Sequence, residues 1–179
     1  NAYNIWTLFG QNWAEQTKHF MGITYQTWGT IFIILIVAAA TWLHFRAKNN
    51  PARYYFVGAF IVTGMFLLSV RMHERYVYPA IIMLLFAFAM RPKREIAYLF
   101  TGLSGMAFFN MAHVEFVYDL NNFNAKEPVT LAIAAGMVIV FGYMVYVALT
   151  CFNGYLSEGE IARTSTGRTA QAGRKNTRA

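Results

Sequence analysis

The sequence predicts an all-α integral membrane protein with about five transmembrane helices, an extracytoplasmic N-terminus and a cytoplasmic C-terminus. Of its 179 residues, 57% are hydrophobic and 13% are charged, whereas a soluble domain carries about 25% charged residues. Long apolar stretches alternate with short basic loops. A disordered chain is excluded because there are sixteen Phe, eleven Tyr and four Trp. The single cysteine, Cys151, excludes an intrachain disulfide framework.

Residues 1–19 are predicted to form an external amphipathic segment before the first span. Its aromatic residues recur at helical spacing and would form one stripe on a helix: Tyr3, Trp6, Phe9 and Trp13. A helix lying in the outer membrane interface explains this pattern, since Trp and Tyr favour that depth. The alternative is a sugar-binding surface, in which Asn4 and Trp6 would contact the acceptor.

The membrane region is predicted to extend from residue 20 to residue 152. Five apolar stretches predict its spans, because about 20 residues are needed to cross a hydrocarbon core of about 30 Å. In chain order they are residues 20–43, 54–70, 76–90, 96–114 and 128–152. The second and third stretches are short for an unaided crossing, so bilayer thinning or a corner drawn into the membrane is expected between them.

The distribution of Lys and Arg predicts the orientation. Eleven of the fifteen lie in the loops after the first and third spans or beyond the fifth, which the positive-inside rule assigns to the cytoplasm. Residues 153–179 are predicted to be a basic, disordered cytoplasmic tail. A solvated anchor of the topology is favoured over contact of its basic residues with anionic lipid headgroups. Because topology accounts for the net charge of +7, no nucleic-acid partner is expected.

The external connection between the second and third spans carries the most informative residues. It reads Arg71-Met72-His73-Glu74-Arg75-Tyr76-Val77-Tyr78-Pro79, and a helical turn would bring Arg71, Glu74 and Arg75 near one face. One interpretation is a tight turn whose Arg–Glu pair reaches the interface. The other is an external site for an anionic group, where two Arg bind phosphate, His73 orients an oxygen and Tyr76 adds a hydroxyl.

The same stretch, RMHERYVYP, resembles the MHERY signature of bacterial multi-pass glycosyltransferases of the GT-C superfamily, relatives of the protein O-mannosyltransferases. The opening NAYNIWTLFGQNW resembles a segment that precedes this signature in the bacterial members. Together the two matches span about the first half of the chain.

The resemblance implies transfer of a mannosyl- or glucosyl-type hexose from a polyprenyl-phosphate donor to an acceptor on the outer face of a bacterial cell membrane. His73, Glu74 and Arg75 would contact the lipid-phosphate end of the donor, with Arg71 assisting. The external acidic residues form no Asp-x-Asp or Glu-x-Asp pair, and Glu158 and Glu160 are predicted to be cytoplasmic. We therefore expect no catalytic residue here, and interpret the chain as the C-terminal part of a larger enzyme.

The expected partners follow from that interpretation. They are the donor lipid, membrane lipids, and the N-terminal helices of the same enzyme or other membrane subunits. No metal or cofactor is expected in this chain, and any divalent metal would be bound by the missing region. A non-catalytic subunit that scaffolds a larger membrane complex is the alternative, and a transporter with a charged relay is a third hypothesis.

Two further patterns bear on packing. Four polar residues lie near the external end of the fourth span: Asn110, His113, Glu115 and Asp119. A metal site there is conceivable, but His113 and Glu115 do not share a helical face, so a polar helix end is favoured. Ala132 and Gly136 form a small-xxx-small pair that could accept a neighbouring helix.

Overall fold

The computed structural model describes residues 3–11, 15–116 and 127–152, and these are mostly helical. A four-residue helix, α1 (Ile5–Leu8), is followed by a hairpin of two strands, β1 (His19–Phe20) and β2 (Ile23–Thr24). Five longer helices then form a bundle: α2 (Tyr25–Arg46), α3 (Arg53–Leu68), α4 (Tyr78–Met90), α5 (Arg94–Phe116) and α6 (Pro128–Cys151). A 3₁₀ helix, Glu74–Val77, precedes α4. The predicted tail, residues 153–179, lies outside the described residues.

The hairpin changes the expected start of the first span. Met21 and Gly22 have φ angles of 52° and 90°, as a two-residue turn that matches the twist of its strands requires. His19 pairs with Thr24, and the Thr24 side chain caps α2 by accepting a hydrogen bond from the Thr27 amide. Helix α2 therefore begins at Tyr25, five residues after the predicted boundary. Of the predicted aromatic stripe, Trp6 lies in the single turn of α1, Tyr3 and Phe9 lie outside that helix, and Trp13 lies outside the described residues.

The other predicted spans coincide with helices to within a few residues. Helices α3 and α4 contain 16 and 13 residues, so they measure about 24 Å and about 20 Å at about 1.5 Å per residue. Pro79 lies in the first turn of α4, where its missing N–H leaves no hydrogen bond unmade. Both helices are thus shorter than a hydrocarbon core of about 30 Å.

Helix α3 is central to the bundle. It packs against α2, α4 and α6, while α5 packs against α4 and α6. Phe56 and Phe66 of α3 are fully buried, and the ring of Phe56 stacks on that of Phe152 with centroids 4.1 Å apart. Gly64 lets α3 approach α2, because a Cβ placed there would lie 3.2 Å from Cγ1 of Ile36.

Much of the outer surface of the bundle is apolar. On α2, Ile34 is 62% exposed and Phe45 is 71% exposed, and the same is seen on α4, α5 and α6. Such a surface requires an apolar environment or a protein partner. Two helices, α2 and α6, are long and apolar enough to cross a membrane, while α3 is apolar but shorter.

Charged residues divide unequally between the two ends of the bundle. One end, here called the basic end, holds the α2–α3 and α4–α5 connections with Arg46, Lys48, Arg53, Arg91, Lys93 and Arg94. At this end the Arg91 guanidinium donates a hydrogen bond to the Cys151 carbonyl over 2.5 Å. The opposite end, here called the motif end, holds the N-terminal segment and the α3–α4 connection.

Candidate functional site

The α3–α4 connection is an irregular corner rather than a continuous helical turn. Helix α3 ends at Leu68, and the chain then passes through Arg71 with φ of 57°. A left-handed conformation is unfavourable for a residue with a long side chain and persists where its surroundings enforce it. The 3₁₀ helix begins only at Glu74. Arg71 therefore lies outside the turn that carries Glu74 and Arg75, unlike the single helical face that the spacing predicts.

The side chains of this corner face outward. Arg71, His73 and Arg75 are exposed, Tyr76 is 46% exposed and Glu74 is half-buried. Within the described residues, the guanidinium groups of Arg71 and Arg75 make no hydrogen bond or ion pair. Two exposed guanidinium groups can bind an anionic oxygen group.

Two other side chains of the corner are partly fixed. The rings of His73 and Tyr76 meet edge to face with centroids 5.3 Å apart. Glu74 lies between His73 and Arg75, and its carboxylate offsets part of the positive charge of the corner.

The N-terminal segment docks directly beneath this corner. The side-chain amide of Asn4 donates hydrogen bonds to the carbonyls of Phe66 and Ser69, over 3.4 and 3.1 Å. The indole N–H of Trp6 donates to the Leu68 carbonyl over 3.1 Å. The last carbonyls of a helix have no partner within it, and here they are capped by residues about sixty positions earlier. Asn4 and Trp6 are 5% and 6% exposed, which the predicted stripe on an interfacial helix did not anticipate.

Asn4 also organises its own segment. Its side-chain oxygen accepts a hydrogen bond from the Trp6 amide, and its backbone amide donates to the Thr7 hydroxyl, which completes a capping box at the start of α1. One asparagine thus begins α1 and caps the end of α3. This dual use follows from the amide group, which carries both an acceptor and two donors.

An aromatic cluster surrounds Trp6 at the motif end. Its ring lies edge to face against Phe20 and Tyr25, with centroids 5.9 and 5.0 Å away. Phe9 packs against Phe20 and is itself 52% exposed. The hairpin therefore serves as a support for the indole ring that caps α3.

A second cluster, here called the buried polar cluster, lies between the N-terminal segment, α5 and α6. Its members are Tyr3, Asn110, His113, Glu127 and Thr130. Tyr3 is fully buried, and its hydroxyl lies 2.9 Å from Nδ1 of His113. Nε2 of His113 lies 3.5 Å from the Glu127 carboxylate, and the Tyr3 amide donates to Asn110 Oδ1 over 3.4 Å.

The buried polar cluster refines the expectation of a polar helix end. Asn110 and His113 share a face of α5 and are buried, whereas Glu115 is exposed and Asp119 lies outside the described residues. No group of three or more metal-ligating His, Cys, Asp or Glu side chains occurs in the part of the chain that the structure describes. The sequence did not predict a role for Glu127, because its partner His113 belongs to the preceding helix, α5.

Comparisons with known proteins return no match: no family model, no curated protein and no solved structure is similar to this chain.

Of the predicted site residues, the structure brings Asn4 and Trp6 next to the corner that carries Arg71, His73, Glu74, Arg75 and Tyr76. The contact is made through the backbone of residues 66–69, directly before the corner. The polar groups of Asn4 and Trp6 are occupied in that contact. The groups available to a ligand are therefore those of the corner itself.

Proposed function

We propose that this chain is the C-terminal membrane portion of a GT-C-type glycosyltransferase that moves a hexose from a polyprenyl-phosphate donor to an acceptor on the outer face. The observation that carries the proposal is the contact between its two motif segments. NAYNIW and RMHERY lie more than sixty residues apart in sequence, yet Asn4 hydrogen-bonds the Ser69 carbonyl, two residues before Arg71. A shared site gives a physical reason for their occurrence in one chain.

The proposed membrane arrangement has five spans, formed by α2 to α6, with the motif end outside and the basic end in the cytoplasm. The exposed apolar residues of the bundle and the charge difference between its ends support this orientation. Because α4 measures only about 20 Å, the corner would lie at or below the level of the outer headgroups. A lipid phosphate would reach it without leaving the membrane interface.

The exposed charges of the corner define the proposed role of each residue. Arg71 and Arg75 would bind the phosphate of the donor and stabilise the negative charge that develops on it as the sugar departs. His73, fixed against Tyr76, would orient a phosphate oxygen, and Glu74 would hold the local charge balance. The acid or base that activates the acceptor hydroxyl would come from outside this chain.

Replacement of Arg75 tests the proposal. In the intact protein, reconstituted with a polyprenyl-phosphate-linked mannose or glucose, Arg75→Ala is expected to lower kcat/KM by about 10²-fold or more, because it removes a charged donor from the leaving phosphate. Arg94→Ala is the matched control, since Arg94 is also exposed but lies at the basic end. Transfer that is equal in both variants would contradict the proposed site.

A wild-type protein that transfers neither sugar and binds no polyprenyl phosphate would contradict the enzyme proposal itself. Binding is measured with the polyprenyl phosphate alone, so that the donor site is tested independently of the acceptor. The expected result is binding by the wild type and by Arg94→Ala, and weakened binding by Arg75→Ala.

A further inference from the structure

The buried polar cluster has no role in the proposed transfer reaction. Its central member, His113, is 7% exposed and lies near the motif end of α5, where it joins elements that are remote in sequence. Tyr3 precedes it by 110 residues, and Glu127 lies at the N-terminal end of α6. Ionisable groups buried in a membrane bundle are costly, and they are retained where they serve a function.

His113 is contacted on both sides of its ring. The Glu127 carboxylate, which accepts a hydrogen bond from the Thr130 hydroxyl over 3.0 Å, lies 3.5 Å from Nε2 of His113, in an electrostatic contact without a hydrogen bond. Nδ1 shares a hydrogen bond of 2.9 Å with the Tyr3 hydroxyl. The ring of Tyr3 also meets that of His113 edge to face, with centroids 5.4 Å apart.

The chain of contacts continues from Tyr3 to the corner. Asn4 is the next residue, and its amide caps the Phe66 and Ser69 carbonyls at the end of α3. Arg71, with its left-handed backbone, follows two residues after Ser69. A displacement of Tyr3 from His113 would therefore move the Asn4 cap and loosen the backbone that presents Arg71.

We propose that His113 is a positioning residue for the phosphate site. In this inference, which rests on the proposed function, Tyr3, His113 and Glu127 form a clasp that holds the N-terminal segment beneath the corner and so fixes the backbone that carries Arg71 and Arg75. The clasp acts on donor binding and touches no reacting atom.

Removal of the Tyr3 hydroxyl tests the clasp in the intact protein. Tyr3→Phe keeps the ring and its packing but removes the hydrogen bond to His113. The Kd for a short-chain polyprenyl phosphate is expected to rise about fivefold to tenfold, the change that loss of one buried hydrogen bond produces. Turnover at saturating donor is expected to stay unchanged. Tyr98→Phe is the matched control, because Tyr98 lies on α5 and is 64% exposed.

A second pair of variants separates positioning from simple folding. His113→Leu removes the hydrogen-bond partner of Tyr3, while His113→Asn retains a polar amide near the position of Nδ1 and is expected to restore most of the affinity. Amide hydrogen exchange of residues 3–8 is measured in every variant. The expected result is faster exchange and weaker binding together in Tyr3→Phe and His113→Leu, and neither change in Tyr98→Phe.

The outcomes distinguish this inference from the proposed function. A wild type that binds polyprenyl phosphate, with variants that exchange faster at residues 3–8 but bind equally well, overturns the positioning role alone. Unchanged exchange and unchanged binding in Tyr3→Phe overturn the clasp as well. A wild type that binds no polyprenyl phosphate overturns the proposed function, and the positioning inference with it.

Discussion

Asn4 shows how one polar side chain links two distant segments. Its amide N–H groups serve the end of α3 and its carbonyl oxygen serves the start of α1. Both contacts are buried, so each leaves an unpaired polar group if it is broken. The residue therefore has a structural function that its sequence neighbours do not reveal.

Asn4→Asp is expected to lower the free energy of unfolding by about 1–3 kcal/mol. The aspartate keeps the shape and the acceptor of the capping box but replaces the donor with a negative charge facing the Phe66 and Ser69 carbonyls. Thermal unfolding in detergent measures the change. Asn49→Asp, at an exposed position, is the control and is expected to have little effect. Equal stability of the two variants would contradict the capping role of Asn4.

At the scale of residues, the sequence did not predict what the N-terminal aromatic side chains contact. The spacing of Tyr3, Trp6 and Phe9 favoured one exposed helical stripe, but Tyr3 and Trp6 are buried and α1 is a single turn. The reason is tertiary: their partners are the carbonyls of α3 and the imidazole of His113, which no local spacing can identify. That Asn4 and Trp6 contact an acceptor stays a prediction, although their side-chain N–H groups are already bonded to the end of α3.

At the scale of elements, the hydrophobic pattern located the helices well. A long apolar stretch between charged residues predicts a helix, and four of the five predicted stretches begin and end within three residues of α3, α4, α5 and α6. The hairpin was missed because each strand has only two residues, too few for an alternating pattern. The local signal for the hairpin is Gly22, which follows Met21 in the turn between His19–Phe20 and Ile23–Thr24.

Helix packing offers a test at this scale. Gly64→Leu is expected to destabilise the protein by about 1–3 kcal/mol, because extra atoms in a packed contact force side chains and backbone apart. The Ile36 side chain occupies that space. Gly142→Leu is the control, since no atom lies within 4 Å of a Cβ at Gly142. Unfolding temperatures in detergent compare the two, and an equal loss would contradict close packing of α2 on α3.

The small-residue pair Ala132 and Gly136 on α6 also bears on close helix packing. Gly136 faces the Met106 side chain of α5, with Cε 2.5 Å from the position of an added Cβ, whereas Ala132 is exposed. Only Gly136 of this pair therefore contacts α5. The spacing of small residues identifies a helix contact but does not tell which partner occupies it.

At the scale of the whole molecule, two properties combine: an apolar outer surface and basic residues concentrated at one end. In water this surface would drive association, whereas in a bilayer lipid tails would cover it. In the proposed orientation the basic end would stay in the cytoplasm. The proposed five-span orientation brings the corner to the outer face, where a polyprenyl-phosphate sugar would be used.

Cysteine labelling in intact cells tests that orientation. Cys151→Ala removes the single cysteine, and Thr17→Cys or Asn49→Cys then introduces one at an exposed position of the motif end or of the basic end. A membrane-impermeant maleimide is expected to label Thr17→Cys in intact cells and Asn49→Cys only after permeabilisation. The opposite pattern would contradict the orientation, and labelling of both in intact cells would contradict an odd number of spans between them.

The docking of the N-terminal segment has a consequence for the order of biosynthesis. Tyr3 and Asn4 are synthesised before any helix of the bundle, but their partners at Ser69, Asn110 and His113 follow many residues later. Contacts that are so distant in sequence are expected to close late, after the intervening helices have formed. The segment therefore joins last, and its docking marks the moment at which α3, α5 and α6 have all reached their places.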